Sequence, residues 1–321
     1  MRVSILVGVV ILALVVVGCG GGSSGTTASP SPSPSPTRSA TPRPTPSPSP
    51  TASPAPSPTV APEAIDITGS QPRQGGFLFV RYPDDGSAPA PMAYFAATGY
   101  GMQRQGGVWF AFIGLPTDTV IGDHPLEVWD GDTLLASTSV AVVDGAFTHV
   151  SFDVPPSSVD LLTDQARIDA ENALLASTES VVTPTKYWSG PWLTPTVGEI
   201  SSEFGEMRSE NGGPFFPHLG EDIANDVGTP VYAAADGVVA LNQALLLYGN
   251  AIVIDHGVGV FSAYCHLDSS LVTAGQMVHR GDLIGYMGQT GYVTGPHLHW
   301  EAIVHGTRVN ASLFTLAATD P

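Results

Sequence analysis

Three histidine-bearing segments in the last third of the chain contain residue types that can bind and activate a metal ion. His218 stands four residues before Asp222, His266 lies in a Tyr-Cys-His-Leu segment, and His297 and His299 flank a single leucine. Side chains two residues apart on a strand share a face, so His297 and His299 are predicted to point toward one site. Two neutral imidazoles and one carboxylate leave a fourth position open, which is the ligand set of a catalytic rather than a structural zinc.

The elements that must position these histidines are predicted to be strands. From about residue 191 the apolar segments are short and are punctuated by glycine, which favours a sheet-rich domain. The predicted strands are residues 250–257, 260–266, 282–288 and 297–304, with residues 230–239 as two strands around an Asp-Gly turn. Segments 250–257 and 260–266 are predicted to pair as a hairpin, and the set as a whole is predicted to be antiparallel.

The segment from Ser202 to Phe314 resembles the lysostaphin/LytM-type zinc metallopeptidases, which are bacterial peptidoglycan endopeptidases. Five family motifs occur in the family's order: His-x-x-x-Asp at 218–222, Gly-Thr-Pro-Val-Tyr-Ala-Ala at 228–234, Tyr-x-His-Leu at 264–267, Gly-Gln-x-Val at 275–278 and Thr-Gly-x-x-x-Gly-Pro-His-Leu-His at 290–299. The resemblance implies an antiparallel β-sheet domain of the LytM-like, duplicated hybrid motif type.

The resemblance also implies the roles of individual residues. It implies one Zn²⁺ per chain, held by His218, Asp222 and His299. It implies His266 and His297 as a catalytic pair that does not bind the metal. One of the pair would handle a proton of the attacking water or the leaving amine, and the other would stabilise the oxyanion. The assignment of the two roles between His266 and His297 stays open.

Neighbouring residues have predicted supporting roles. Strand alternation places Tyr264 and His266 on one face and Cys265 on the other, so Cys265 is predicted to pack rather than to act as a ligand or nucleophile. Glu301 shares strand parity with His299 and is a candidate for orienting that ligand. The remaining histidines are interpreted as structural or surface residues: His124, His149, His256, His279 and His305.

Composition excludes one class of partner. The chain has 29 acidic and 11 basic residues and a formal charge of -18. Affinity for phosphate backbones is carried by Lys and Arg, so nucleic acid is not expected as a partner. The two cysteines are Cys19 and Cys265. Because Cys19 belongs to an export signal, no intramolecular disulfide is predicted.

The N-terminal residues predict export and attachment to a membrane. Residues 1–18 have one basic residue and an apolar run that is short for a membrane span but typical of a secretory signal. The run ends at Cys19 in a segment that resembles the lipobox of bacterial lipoproteins, in which this cysteine is lipidated. The alternative is an uncleaved anchor helix. Residues 19–62 are rich in Ser, Thr and Pro, which favours a polyproline II tether or a passive disordered spacer. Whether residues 1–18 are a lipoprotein signal or an uncleaved anchor helix, the sequence predicts a cell-envelope protein outside the cytoplasm.

The remaining segments complete a mainly β architecture. Residues 63–153 contain short apolar strands separated by turns, which predicts an Ig-like β-sandwich. Residues 154–190 are predicted to be a helical connector, with a helix over 160–175. Residues 191–321 are predicted to be the zinc metallopeptidase domain.

These features favour a zinc metalloendopeptidase that hydrolyses peptide bonds in peptidoglycan stem or cross-bridge peptides. The alternative is a catalytically inactive protein that binds the wall or activates another hydrolase. A carbohydrate-binding or adhesion protein is a third reading, and it leaves the histidine motifs unexplained. The expected partners are peptidoglycan and, through Cys19, the membrane, with cell-wall hydrolases or division proteins as further candidates.

Overall fold

A computed structural model describes residues 65–84, 86, 90–317 and 319–321, all of which belong to one compact unit. The predicted signal, Cys19 and the linker lie outside the described residues. Within the described ranges, every helix is too short or too polar to cross a bilayer.

Eight strands lie before the helical segment. They are β1 Phe77–Pro83, β2 Met92–Phe95, β3 Thr98–Gly101, β4 Gln103–Gln105, β5 Val108–Gly114, β6 Gly122–Asp130, β7 Thr133–Val142 and β8 His149–Phe152. Seven of them form two sheets, one in the order β1-β5-β4 and the other in the order β3-β2-β6-β7. The two-sheet arrangement expected from the sequence is confirmed, while the immunoglobulin-like assignment stays a prediction.

Strand β1 is buried on both faces, because it separates two cores. Leu78 and Val80 belong to the cluster that includes Leu126 of the four-stranded sheet. Phe77 and Phe79 point to the opposite face and belong to the cluster that includes the C-terminal strands. Alternation along the strand therefore makes β1 the middle of three packed layers.

Aromatic side chains join the N-terminal strands to the rest of the molecule. The ring of Phe77 stacks on that of Phe314 with centroids 4.3 Å apart, and Phe314 in turn stacks on Trp192 at 4.4 Å. Phe112 lies 5.5 Å from Trp188. The regions predicted as separate domains therefore both contribute side chains to the core that includes Phe77 and Phe314. Their boundaries at residues 153 and 190 stay predictions.

The main helix of the connector, Gln165–Glu179, begins and ends later than the predicted helix over 160–175. The connector consists of α1 Pro156–Val159, a 3₁₀ turn Asp160–Thr163 and α2 Gln165–Glu179. The Asp164 side chain accepts a hydrogen bond from the backbone N–H of Arg167, and this N-cap fixes the start of α2. One face of α2 is buried, and its residues are Ile168, Glu171, Leu175 and Glu179.

The C-terminal region is a large sheet with a small one beside it. Its strands are β9 Glu199–Ser202, β10 Met207–Glu210, β11 Phe216–Pro217, β12 Glu221–Ala224, β13 Pro230–Tyr232, β14 Gly237–Ala244, β15 Asn250–Gly257, β16 Val260–Ser270, β17 Met277–Val278, β18 Leu283–Met287, β19 His297–Val304 and β20 Thr307–Val309, followed by a 3₁₀ turn Ala311–Thr315. Ten of these form one sheet with the central order β17-β14-β15-β16-β19-β12-β9.

The predicted antiparallel pairing is confirmed throughout this large sheet, including the β15–β16 hairpin. The small sheet has the order β11-β10-β8, and its β10–β8 pair is parallel. Strand β8 of the N-terminal region thereby extends the edge of the C-terminal region.

The predicted pairing within residues 230–239 is wrong. Strand β13 pairs with β18, whereas β14 pairs with β15 and β17. The residues between β13 and β14 bond instead to residues 280–282. The backbone N–H of Ala233 donates to the carbonyl of Asp282, and the N–H of Arg280 donates to the Asp236 carboxylate. The Asp-Gly turn therefore redirects the chain without making a hairpin.

Candidate metal centre

One antiparallel strand pair and the residues that lead into it position the three predicted ligands. Asp222 on β12 lies directly opposite His299 on β19, and His218 follows β11. Opposing residues on neighbouring strands project from the same face of a sheet. Gly220 makes room for the imidazole, because a Cβ at position 220 would lie 2.4 Å from Cε1 of His299.

The ligand atoms of the three residues converge. His218 Nε2 lies 3.0 Å from His299 Nδ1 and 3.2 Å from Asp222 Oδ1, and His299 Nδ1 lies 2.8 Å from the same Oδ1. Ligand atoms at their usual distance from a tetrahedral zinc ion are roughly 3.3 Å apart. The three donors therefore fit a single divalent ion after small outward shifts.

Hydrogen bonds on the far side of each ring determine which nitrogen is free. Nδ1 of His218 lies 3.1 Å from the carbonyl oxygen of Glu203, which can only accept, so Nδ1 carries the proton and Nε2 faces the cluster. Nε2 of His299 lies 3.0 Å from Oε1 of Glu301, which leaves Nδ1 as the cluster-facing atom. The prediction that Glu301 orients this ring is supported by the contact.

The carboxylate of Asp222 is held at both oxygens. Arg208 on β10 donates to Oδ2 at 2.6 Å, while Oδ1 faces the two histidines. Burial acts to raise the pKa of Asp222, but hydrogen bonds with His218 and His299 hold it well below its usual value. Asp222 is therefore an anion with one oxygen directed at the cluster.

The two carboxylates beside His299 favour a positive charge at the cluster. Burial acts to lower the pKa of His299, but hydrogen bonds with Asp222 and Glu301 raise it to about 9. Burial lowers the pKa of His218. Without a metal, His299 is thus a buried cation between two carboxylates, and a divalent ion would supply that positive charge from the cluster itself.

The predicted catalytic pair lies beside the cluster. The ring centroid of His266 is 4.8 Å from that of His297 and 5.8 Å from that of His299. Nδ1 of His266 donates to the carbonyl of Thr290 at 2.8 Å, and Nδ1 of His297 donates to that of Gly295 at 2.9 Å. Each ring therefore has Nε2 as its proton acceptor. Nε2 of His297 lies 3.6 Å from Asp222 Oδ1.

Both rings of this pair are neutral at physiological pH. Burial, together with the neighbouring His297 and His299, lowers the pKa of His266 to about 3. Burial also lowers the pKa of His297. Neutral imidazoles with a free nitrogen can accept a proton.

The prediction that Tyr264 and His266 share a face is wrong. Tyr264 lies opposite Trp300 and belongs to the aromatic core, whereas Cys265 lies opposite His299 and packs with Leu175. His266 has a φ of 61°, in the left-handed region that a residue other than glycine seldom adopts. This turn of the backbone interrupts the alternation of β16 and brings His266 to the site. Cys265 is a buried, free thiol, which agrees with the prediction that it packs in the interior.

The other histidines lie outside the metal-ligand cluster among the described residues. His256 is a core residue that bonds Ser262 and the carbonyl of Asp236. Sequence reasoning missed Arg208 and Gly220 as supports of the cluster. Arg208 could have been found only through its tertiary contact, because residues 211–220, which include β11, separate β10 from β12.

Comparisons with known proteins agree with this geometry. Residues 216–311 match the model of Peptidase family M23. Peptidoglycan DD-endopeptidase ShyA of Vibrio cholerae is 52% identical over 95 residues, which are 30% of this chain and 22% of that protein. DD-carboxypeptidase/endopeptidase Mpg of Neisseria gonorrhoeae is 43% identical over 111 residues, which are 35% of this chain and 26% of that protein. This chain thus matches less than a third of either relative's length.

One solved structure is similar over a longer stretch. A crystal structure from Pseudomonas aeruginosa, named for peptidase M23, has 28% sequence identity and a TM-score of 0.58. The match covers 78% of this chain and 96% of that one. A match of this length must include residues that precede the family match at 216–311.

Proposed function

We propose that the protein is a zinc-dependent endopeptidase that hydrolyses peptide bonds in peptidoglycan, a proposal supported by the match of residues 216–311 to the model of Peptidase family M23. The observation that carries the proposal is the convergence of His218, Asp222 and His299 beside a pair of neutral imidazoles. The three ligand atoms lie within 4.8 Å of one another. A three-ligand set of this kind leaves room for water and substrate, as a catalytic zinc requires.

The chain's own residues divide the remaining chemistry. A zinc ion held by His218, Asp222 and His299 would polarise the scissile carbonyl and lower the pKa of a bound water toward roughly 7. His266 and His297 are neutral, and their Nδ1 hydrogen bonds to backbone carbonyls leave Nε2 free in each ring. One of them accepts the proton of the attacking water and delivers it to the leaving amine. The other can donate a hydrogen bond from Nε2 to the developing oxyanion only as an imidazolium, with a proton on each ring nitrogen.

The names of the relatives support the choice of substrate. ShyA is named as a peptidoglycan DD-endopeptidase and Mpg as a DD-carboxypeptidase/endopeptidase. We therefore propose that the scissile bond joins two D-configured residues in a stem or cross-bridge peptide.

The location of the enzyme follows from residues outside the described part of the chain. We propose that residues 1–18 are a secretory signal, that Cys19 is lipidated, and that residues 19–62 tether the enzyme to the membrane and let it reach into the cell wall. Cell-wall hydrolases or division proteins are the partners proposed for an enzyme at this place.

The test uses the full-length chain purified in detergent, with His299→Ala as the control. Zinc content is measured by elemental analysis, and new amino groups are measured after incubation with purified sacculi. Mass spectrometry of the released fragments identifies the bond. About one zinc per chain and release of amino groups, both lost in the control, are expected. A protein that only binds the wall or activates another hydrolase would release no amino groups by itself.

A further inference from the structure

A chain of buried charged groups extends from the metal ligand His299 away from the cluster. Nε2 of His299 bonds Oε1 of Glu301 at 3.0 Å. The second oxygen of Glu301 accepts a hydrogen bond from Nε of Arg308 at 3.2 Å. Glu301 is 1% exposed, so water has little access to its carboxylate and does not compete for these hydrogen bonds. The orientation of the His299 ring therefore depends on what holds Glu301.

The guanidinium that holds Glu301 is itself held by helix α2. Nη1 and Nη2 of Arg308 donate to the two oxygens of Glu179, each at 2.7 Å. This bidentate geometry fixes the plane and position of a guanidinium more strictly than a single bond does. Glu179 lies at the end of α2 and is 2% exposed.

Packing alone does not explain a carboxylate at this position. A negative charge is unfavourable near the C-terminus of a helix, where the helix dipole is also negative. Burying a charged group is unfavourable unless it is paired. An apolar residue would serve the contact of α2 with the sheet, as Leu175 does one turn earlier. Among the residues that the structure describes, Arg308 is the partner that the Glu179 carboxylate bonds.

We propose that Glu179 is a positioning residue for the metal site, acting on His299 through Arg308 and Glu301. The inference rests on the proposed function only in taking His299 as a metal ligand. It extends the site to helix α2, which lies outside the family match at residues 216–311. The helical connector of this chain would then be part of the metal site and more than a spacer.

The test measures zinc affinity of the metal-free, full-length chain by competition with a chromophoric chelator. Glu179→Gln keeps the size of the side chain but replaces one acceptor oxygen by an amide donor that faces the Arg308 guanidinium. We expect zinc binding to weaken about tenfold, at the lower end of the range for outer partners of metal ligands. The visible absorption bands of the Co²⁺-substituted protein, which report ligand geometry, should shift as well.

Asp320→Asn is the matched control. Asp320 forms an ion pair with the buried Lys186 at 3.0 Å and accepts from the backbone of Gly190, so its loss removes a carboxylate from a different place. Zinc affinity and the Co²⁺ spectrum should be unchanged in this variant. Glu301→Gln is the positive control and should weaken zinc binding at least as much as Glu179→Gln. Zinc affinity and a Co²⁺ spectrum equal to wild type in Glu179→Gln would overturn the inference.

A second set of variants tests the route and guards against loss of the fold. In an Arg308→Met background, Glu179→Gln should change zinc affinity less than about twofold, because the path to Glu301 is already cut. A tenfold effect in that background would contradict the route. The double variant replaces a whole buried ion pair and is expected to fold. If Glu179→Gln alone did not fold, Glu179→Asp, which keeps the charge but shortens the reach to Arg308, takes its place: weaker zinc binding would support the inference, and wild-type affinity would overturn it.

Failure of this inference is distinguishable from failure of the proposed function. Equal zinc affinity in wild type and Glu179→Gln removes the positioning role and leaves the endopeptidase intact. Zinc binding without release of amino groups from sacculi removes the endopeptidase and leaves the positioning role to be decided by the affinities.

Discussion

His256 and His299 are both buried histidines, but their surroundings give them opposite acid–base behaviour. His256 lies in the core against Trp192, where Nδ1 donates to the carbonyl of Asp236 and Nε2 accepts from the hydroxyl of Ser262. Its partners are uncharged groups, and burial lowers its pKa to about 4. His256 is therefore a neutral packing residue.

His299 lies between two carboxylates. Nδ1 is 2.8 Å from Asp222 and Nε2 is 3.0 Å from Glu301. Burial acts against the charged ring here too, yet the two hydrogen bonds raise its pKa to about 9. The comparison shows that the placement of carboxylates, and not the burial of the ring, distinguishes a position that attracts a cation from a position in the core.

The largest expected effect separates these two histidines directly. His299→Ala should lose bound zinc and reduce peptidoglycan hydrolysis below about one thousandth of wild type, because the metal no longer polarises the carbonyl. His256→Asn should keep its zinc and its hydrolysis at temperatures where it is folded. Zinc content and amino-group release from sacculi measure both variants. Loss of zinc from both would show that His256 contributes to the centre and that the comparison is wrong.

His266 sharpens the comparison, because it has the low pKa of a core histidine but stands in the site. His266→Asn should lower kcat about a hundredfold or more, the usual loss for a proton-transferring group, while zinc content stays at the wild-type level. Steady-state kinetics on a soluble peptidoglycan peptide and elemental analysis give the two readouts. A variant that loses zinc together with activity would make His266 a ligand instead.

The sequence predicted most of what depends on local periodicity. Strand β19 lies where residues 297–304 predicted it, and His297 and His299 both approach Asp222 as their spacing required. The β15–β16 hairpin is also as predicted. These features follow from the alternation of strand side chains, which a short window of sequence already shows.

What the sequence did not predict depends on tertiary partners. The left-handed backbone at His266 overrides the alternation that placed it with Tyr264. Glu171 and Glu179 fall on the buried face of α2, although charged residues in an amphipathic pattern normally face solvent. Their partners, the backbone N–H of Leu246 and the Arg308 side chain, lie far along the chain, so no local pattern marks them.

The neutral state of His256 should appear in the pH dependence of stability. Its pKa is about 4 when folded and about 6.5 when unfolded, so the unfolded chain binds the proton first as pH falls. Stability is full above pH 6.5 and should fall by about 3 kcal/mol on going to pH 4, relative to His256→Asn. Urea unfolding of both proteins across this range measures the difference. A difference that does not change with pH would mean that folding leaves the pKa of His256 unchanged.

The smallest effect tests whether the carboxylate beside His299 must itself be held. Arg208 donates to Oδ2 of Asp222 at 2.6 Å, and the core site of His256 has no counterpart to this bond in its described contacts. Arg208→Lys keeps the positive charge but loses the planar guanidinium, so zinc binding should weaken about tenfold. Arg104→Lys, at the ion pair with Asp84, is the matched control and should bind zinc as wild type does. If the two variants bound zinc equally well, charge near Asp222 would suffice, and the fixed orientation of its second oxygen would not be what separates the metal centre from the core.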